Sequence, residues 1–119
     1  MKVSPKTPPR VFSAGQPPVR LSHVADVELA SDEILTITLD GREGYDVARK
    51  DWGFYATPSL NGRLKSAGLR ACLAQGAGEK RFILLVEQGR EESFHAYLAE
   101  QGMAILFWLD GDEALTPPG

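Results

Sequence analysis

The chain has 119 residues, 43% of them hydrophobic and 24% charged, with a net charge of −3. This length suits one domain around a single core, and the composition is that of an ordinary soluble globular protein. No apolar run approaches the roughly 20 residues needed to span a bilayer, and MKVSPKTPPR has no apolar stretch after its charges, so neither a membrane anchor nor a secretory signal is read here.

Residues 1–18 contain five prolines and little apolar content, too little to offset the entropy of ordering them. A flexible, basic, Pro-rich arm is expected. Residues 1–22 hold Lys2, Lys6, Arg10 and Arg20 and no acid, while the rest of the chain carries nine bases against sixteen acids. An acidic body argues against broad binding to a phosphate backbone. One domain is expected over residues 19–115, followed by a flexible tail over 116–119.

Within that domain VRLSHVADVEL alternates in part and reads as an opening strand. EILTITLDGREGYDVAR reads as two strands around the tight-turn pair Asp40-Gly41. Next come the aromatic stretch DWGFYA and a helix, with Thr57 as its cap, Pro58 in its first turn and Gly68 at its end. Leu60, Leu64 and Ala67 form that helix's inward face. LRACLAQ and RFILLVEQ read as a hairpin across GAGEK. REESFHAYLAEQG is the second helix, with Phe94, Tyr97 and Leu98 as its buried stripe and Gly102 as its stop. MAILFWLD closes the domain as a strand that is apolar on both faces.

The fold class is therefore α+β: an antiparallel or mixed sheet of about five to six strands with two helices. The nearest layout is ferredoxin-like β-α-β-β-α-β with an extra N-terminal strand. A last strand apolar on both faces should lie centrally or be covered, whereas the plain layout puts it at an edge. Either the extra N-terminal strands cover it, or it forms a subunit interface, a homodimer through Phe107 and Trp108.

The chemically richest stretch is residues 49–65. Arg49, Lys50 and Arg63, with Lys65, stand against the lone Asp51. Thr57, Ser59 and Asn61 add donors at an expected helix start, Tyr55 adds a hydroxyl, and Trp52 adds an aromatic wall. A helix N-terminus accepts anions readily, so a phosphate- or carboxylate-bearing small molecule is one ligand to expect. A competing reading uses the same residues as architecture, with Trp52 and Phe54 in the core and Tyr55 outward. KDWGFYA also resembles, in part, the aromatic signature of the RNA-recognition motif. That resemblance implies stacking of unpaired bases on Trp52 and Phe54. Asp51 and Tyr55 depart from the signature, and here it precedes the first helix instead of following it.

Catalytic groups are sparse. Cys72 reads as a small buried residue, and a single cysteine excludes an intramolecular disulfide and any multi-cysteine zinc site. His23 reads as a surface residue. His95 has only Glu91 one turn back. Asp110, Asp112 and Glu113 read as a solvated acidic turn. No metal and no cofactor are expected, and nucleic acid is not the expected partner.

The leading expectation is a small non-catalytic cytoplasmic binding or adaptor domain, recognising an anionic small molecule or a protein through residues 49–65. The alternatives are an enzyme or accessory subunit acting on an anionic metabolite, and a single-stranded RNA binder.

Overall fold

The computed structural model describes residues 1–56 and 58–111, and the chain divides into two compact units, Met1–Thr57 and Pro58–Gly119.

The first unit is all β. Strand β1 (Lys2–Ala14) pairs antiparallel with β2 (Val19–Glu28). The register puts Val3 opposite Val27, Pro5 opposite Ala25, Phe12 opposite Leu21 and Ala14 opposite Val19, which gathers apolar side chains on one face. Lys2–Glu28, Ser4–Asp26 and Ser13–Arg20 take the other face. The register shifts between Pro5 and Arg10, the interval that holds Pro8 and Pro9. Proline has no N–H to give a ladder, so a break there is the expected cost. The stretch anticipated as a Pro-rich arm thus contains a paired strand.

Strands β3 (Ile34–Leu39), β4 (Arg42–Lys50) and β5 (Gly53–Ala56) form a separate antiparallel meander in that order. The β3–β4 turn is the anticipated Asp-Gly pair, with Asp40 at φ 51° and Gly41 at φ 79°. Two successive positive φ values match the right-handed twist of a hairpin.

The second unit opens with α1, a single turn over Arg63–Ser66. Strand β6 (Leu69–Gln75) leads through a 3-10 turn at Ala77–Glu79 to β7 (Arg81–Glu87). Helix α2 (Glu91–Gln101) then returns the chain to β8 (Ala104–Trp108). The sheet order is β7-β6-β8, with β6 antiparallel to both neighbours. Strands β7 and β8 are therefore parallel, joined through α2 with β6 between them, which is a split β-α-β unit.

The α+β class and its two helices stand, but the strand count does not. Eight strands lie in three sheets among the described residues, instead of five to six in one. Residues 2–14 and the aromatic stretch each supply a strand that composition did not suggest, and alternation cannot say which strands share a ladder.

The apolar core is in the second unit: Leu64, Leu69, Ala71, Cys72, Ala74, Val86 and Leu98 are buried. The strand closed on both faces is β6, where Ala71, Cys72 and Ala74 are fully buried. Strand β8 is at an edge, and Leu106 and Phe107 are exposed. Of the expected stripe on α2, Leu98 is buried and Phe94 half-buried, while Tyr97 is exposed.

Candidate functional site

Residues 49–56 form a tight hairpin, β4 turning at Asp51-Trp52 into β5. Gly53 sits at φ 147°, a conformation that side-chain-bearing residues rarely adopt, and this lets the chain reverse directly after Trp52. Arg49 lies opposite Phe54 and Ala48 opposite Tyr55, so Arg49 and Tyr55 belong to opposite faces of the sheet. The Arg49 guanidinium sits 5.3 Å from the centre of the Phe54 ring and donates to the Gly53 carbonyl at 3.2 Å. Lys50 pairs with the Asp32 carboxylate.

Trp52, Phe54 and Tyr55 are 67%, 61% and 54% exposed. The reading that put Trp52 and Phe54 in a core is therefore corrected. Strand β5 lies at a sheet edge, where neither face is covered enough to bury a ring.

A neighbouring loop holds the end of β4. Asp32 N–H donates to the Arg49 carbonyl at 2.7 Å, and Arg49 N–H to the Glu33 carbonyl at 2.9 Å. The Glu33 carboxylate accepts from Ala30 N–H at 2.7 Å and meets the Met1 amine at 2.9 Å. The Ala30 bond, then the amine, hold its carboxyl below the usual carboxylate range. Beside this loop is an open recess of about 360 Å³ lined by Met1, Lys2, Glu28, Leu29, Ala30 and Arg49. Arg49 is the one expected site residue in its lining.

Ser59, Asn61 and Arg63 belong to the second unit. Ser59 Oγ accepts from Arg63 N–H at 2.8 Å, so the serine hydroxyl satisfies the first amide of the single turn α1, whose cap position is Gly62. Asn61 and Arg63 are exposed. Thr57 lies outside the described residues.

Elsewhere, groups weighed as chemistry are structural. Cys72 is fully buried, and desolvation pushes its thiol pKa up, away from the nucleophilic thiolate. Glu91 accepts from Gly89 N–H at 2.9 Å, and backbone hydrogen bonds, its own N–H first, hold its carboxyl below the usual range. His23 Nδ1 lies 3.2 Å from Arg10 and its Nε2 2.9 Å from Asp26, so it joins a cross-strand polar chain that also contains Lys6.

Asp110 corrects the expectation of a solvated acidic turn. It is buried and takes a two-pronged contact from Arg70, Nε to Oδ2 at 2.8 Å and Nη2 to Oδ1 at 3.0 Å. Arg70 in turn lies 4.0 Å from the centre of the Trp108 ring, which contacts Phe94 at 6.2 Å. The Arg70 hydrogen bond holds the Asp110 carboxyl below its usual range. This acid–guanidinium–ring stack joins β6, α2 and β8. It escaped the sequence because its members are spread from residue 70 to residue 110. Asp112 and Glu113 lie outside the described residues.

Among the described residues no group of three or more His, Cys, Asp or Glu is placed to hold a metal ion, and no helix is long and apolar enough to cross a membrane. No family model matches the chain, and neither curated proteins nor solved structures give a match.

Proposed function

We propose that this is a small, non-catalytic, cytoplasmic binding or adaptor domain that meets a protein partner through the β4–β5 hairpin of the 49–65 stretch. The observation that carries this is the exposure of Trp52, Phe54 and Tyr55 on one four-residue span of that hairpin. Aromatic side chains with an arginine beside them are the residues most enriched where proteins bind proteins. Exposed apolar rings cost solvation in the free protein, and a partner recovers it.

A protein partner fits better than an anionic small molecule. Three of the groups expected to hold an anion are engaged: Lys50 with Asp32, Arg49 with the Gly53 carbonyl, Ser59 with the α1 backbone. The enzyme alternative gains no support from the recess beside Arg49, which is lined by Met1, Lys2, Glu28, Leu29, Ala30 and Arg49. The ferredoxin-like layout stays a proposal too, supported by the split β-α-β of the second unit.

The test is a photo-crosslinking amino acid at Trp52 in the intact chain, expressed in its native cells. A protein adduct that disappears when Phe54 and Tyr55 become serine, with circular dichroism unchanged, is the expected result. Saturable backbone-amide shifts confined to residues 49–56 on adding inorganic phosphate or a short single-stranded RNA, with no protein adduct, would replace the reading with an anion or RNA site.

A further inference from the structure

We infer that two copies of this chain dimerise through the free edge of β7, extending one sheet through both protomers. Strand β7 is an edge strand, RFILLVE, paired only with β6 in its sheet. It runs for seven residues without a register shift and contains no proline. Phe82 and Leu85 are exposed, and Ile83 is 67% exposed. A regular, apolar, uncovered edge is a template for another strand.

The backbone says which groups are on offer. Gly76 N–H donates to the Lys80 carbonyl and Gln88 N–H to the Gly68 carbonyl, each at 2.8 Å. In an antiparallel ladder, directly opposed pairs alternate between bonded and non-bonded. The continuous register between those two bonds assigns Phe82, Leu84 and Val86 to the pairs bonded with β6. Arg81, Ile83 and Leu85 therefore turn their N–H and C=O groups outward, and Glu87 turns its N–H outward while its C=O accepts from the Arg90 N–H at 3.0 Å.

A two-fold axis through Leu84 sets Ile83 against the partner's Leu85 and Arg81 against the partner's Glu87. Every outward-turned residue then meets another outward-turned residue, as an antiparallel ladder requires. The same register places base against acid at both ends. A strand that is basic at its start, acidic at its end and apolar between is complementary to itself when reversed, and this is why the occupant is a second copy.

The expected interface at Phe107 and Trp108 is moved accordingly. Strand β8 is shorter, and its register shifts between Leu73 and Ala74, an irregularity of the kind that blunts an edge. Trp108 is committed to Arg70 and Phe94. Phe107 shares its sheet face with Leu73 and Ile83 but lies on the opposite edge of the sheet from the new seam.

Sedimentation velocity on the full chain tests this. The unaltered protein is expected to be a dimer. Ile83→Pro removes an outward N–H without touching the β6 ladder, and should give a folded monomer. Arg81→Glu alone and Glu87→Arg alone put like charges at both ends, and each should weaken self-association about tenfold. Mixing these two variants pairs acid with base again and should restore a heterodimer at the original affinity. A monomer at every concentration up to the solubility limit, or a dimer indifferent to both charge reversals, would overturn the inference.

Discussion

The two units solve the same problem differently. The second wraps a three-stranded sheet around a buried central strand, and all seven buried apolar residues of the described chain are there. The first has none: its two small sheets leave Val3, Leu21, Val27, Ile34, Ile37, Trp52 and Phe54 exposed. Its strands are held by backbone ladders and by polar pairs at the surface, such as Lys6–Asp26 and Lys50–Asp32. Exposed ion pairs contribute about 0–1 kcal/mol each, and sheets of two or three strands need a covered apolar face to persist alone. The first unit's apolar faces are thus left open, whereas the second unit closes a core of its own.

Hydrogen exchange offers the largest contrast. Amides of β6 should exchange about a hundredfold or more slowly than those of β1 and β2, because opening free energy follows buried contacts. Equal protection across both hairpins would mean that the first unit is stabilised by something other than its own burial.

Side-chain deletion comes next. Leu64 on α1 is fully buried, so Leu64→Ala should cost about 2–4 kcal/mol by urea unfolding. A cost below about 1 kcal/mol would show that the second unit closes over the void, and would weaken its description as a packed core.

The Arg70–Asp110 pair gives a smaller effect with a pH signature. Asp110→Asn takes from Arg70 its two-pronged carboxylate partner and should cost about 2 kcal/mol at neutral pH, less than a wholly buried pair because Arg70 is partly solvated. A carboxylate whose pKa is lowered on folding stabilises the fold above its unfolded value. That contribution is lost as pH falls through the lowered folded value. The unaltered chain should therefore lose stability below about pH 4, and Asp110→Asn should flatten that limb. Parallel acid limbs in the two proteins would place the acid sensitivity elsewhere, with Asp26 and Glu33 of the first unit the next groups to test.

The contrast between units also explains what the sequence disclosed. Where burial is strong, pattern and structure agree. LRACLAQ is β6, RFILL with its flanks is β7, and the helix read over residues 90–102 forms from Glu91 to Gln101 and closes at Gly102. The Asp40-Gly41 turn was legible because its demand for positive φ is local. The first helix is one turn long among the described residues, and Gly62, which offers no side chain to cap it, directly precedes the turn. Strand β1 is not legible in composition, because its prolines argue for an open arm while its pairing comes from a ladder to β2. Of the candidate site, the aromatic cluster was legible as a cluster. Its exposure was not, because solvent access depends on which faces the rest of the chain leaves bare.

The smallest expected effect is the most informative about the first unit. Ile37 lies in β3 opposite Tyr45, is 58% exposed, and adjoins the register shift between Ile37 and Thr38. Ile37→Thr keeps a β-branched side chain, so strand preference is retained while apolar area is removed. If that face is bare in the free protein, unfolding should change by less than about 0.5 kcal/mol, as at ordinary surface positions. A cost above about 1 kcal/mol in the isolated protein would mean that the face is already covered there, and covered by another copy if the cost grows with protein concentration. A neutral result joined to a loss of the Trp52 crosslink would instead extend the binding surface from the aromatic hairpin onto β3, making the whole meander the partner's seat.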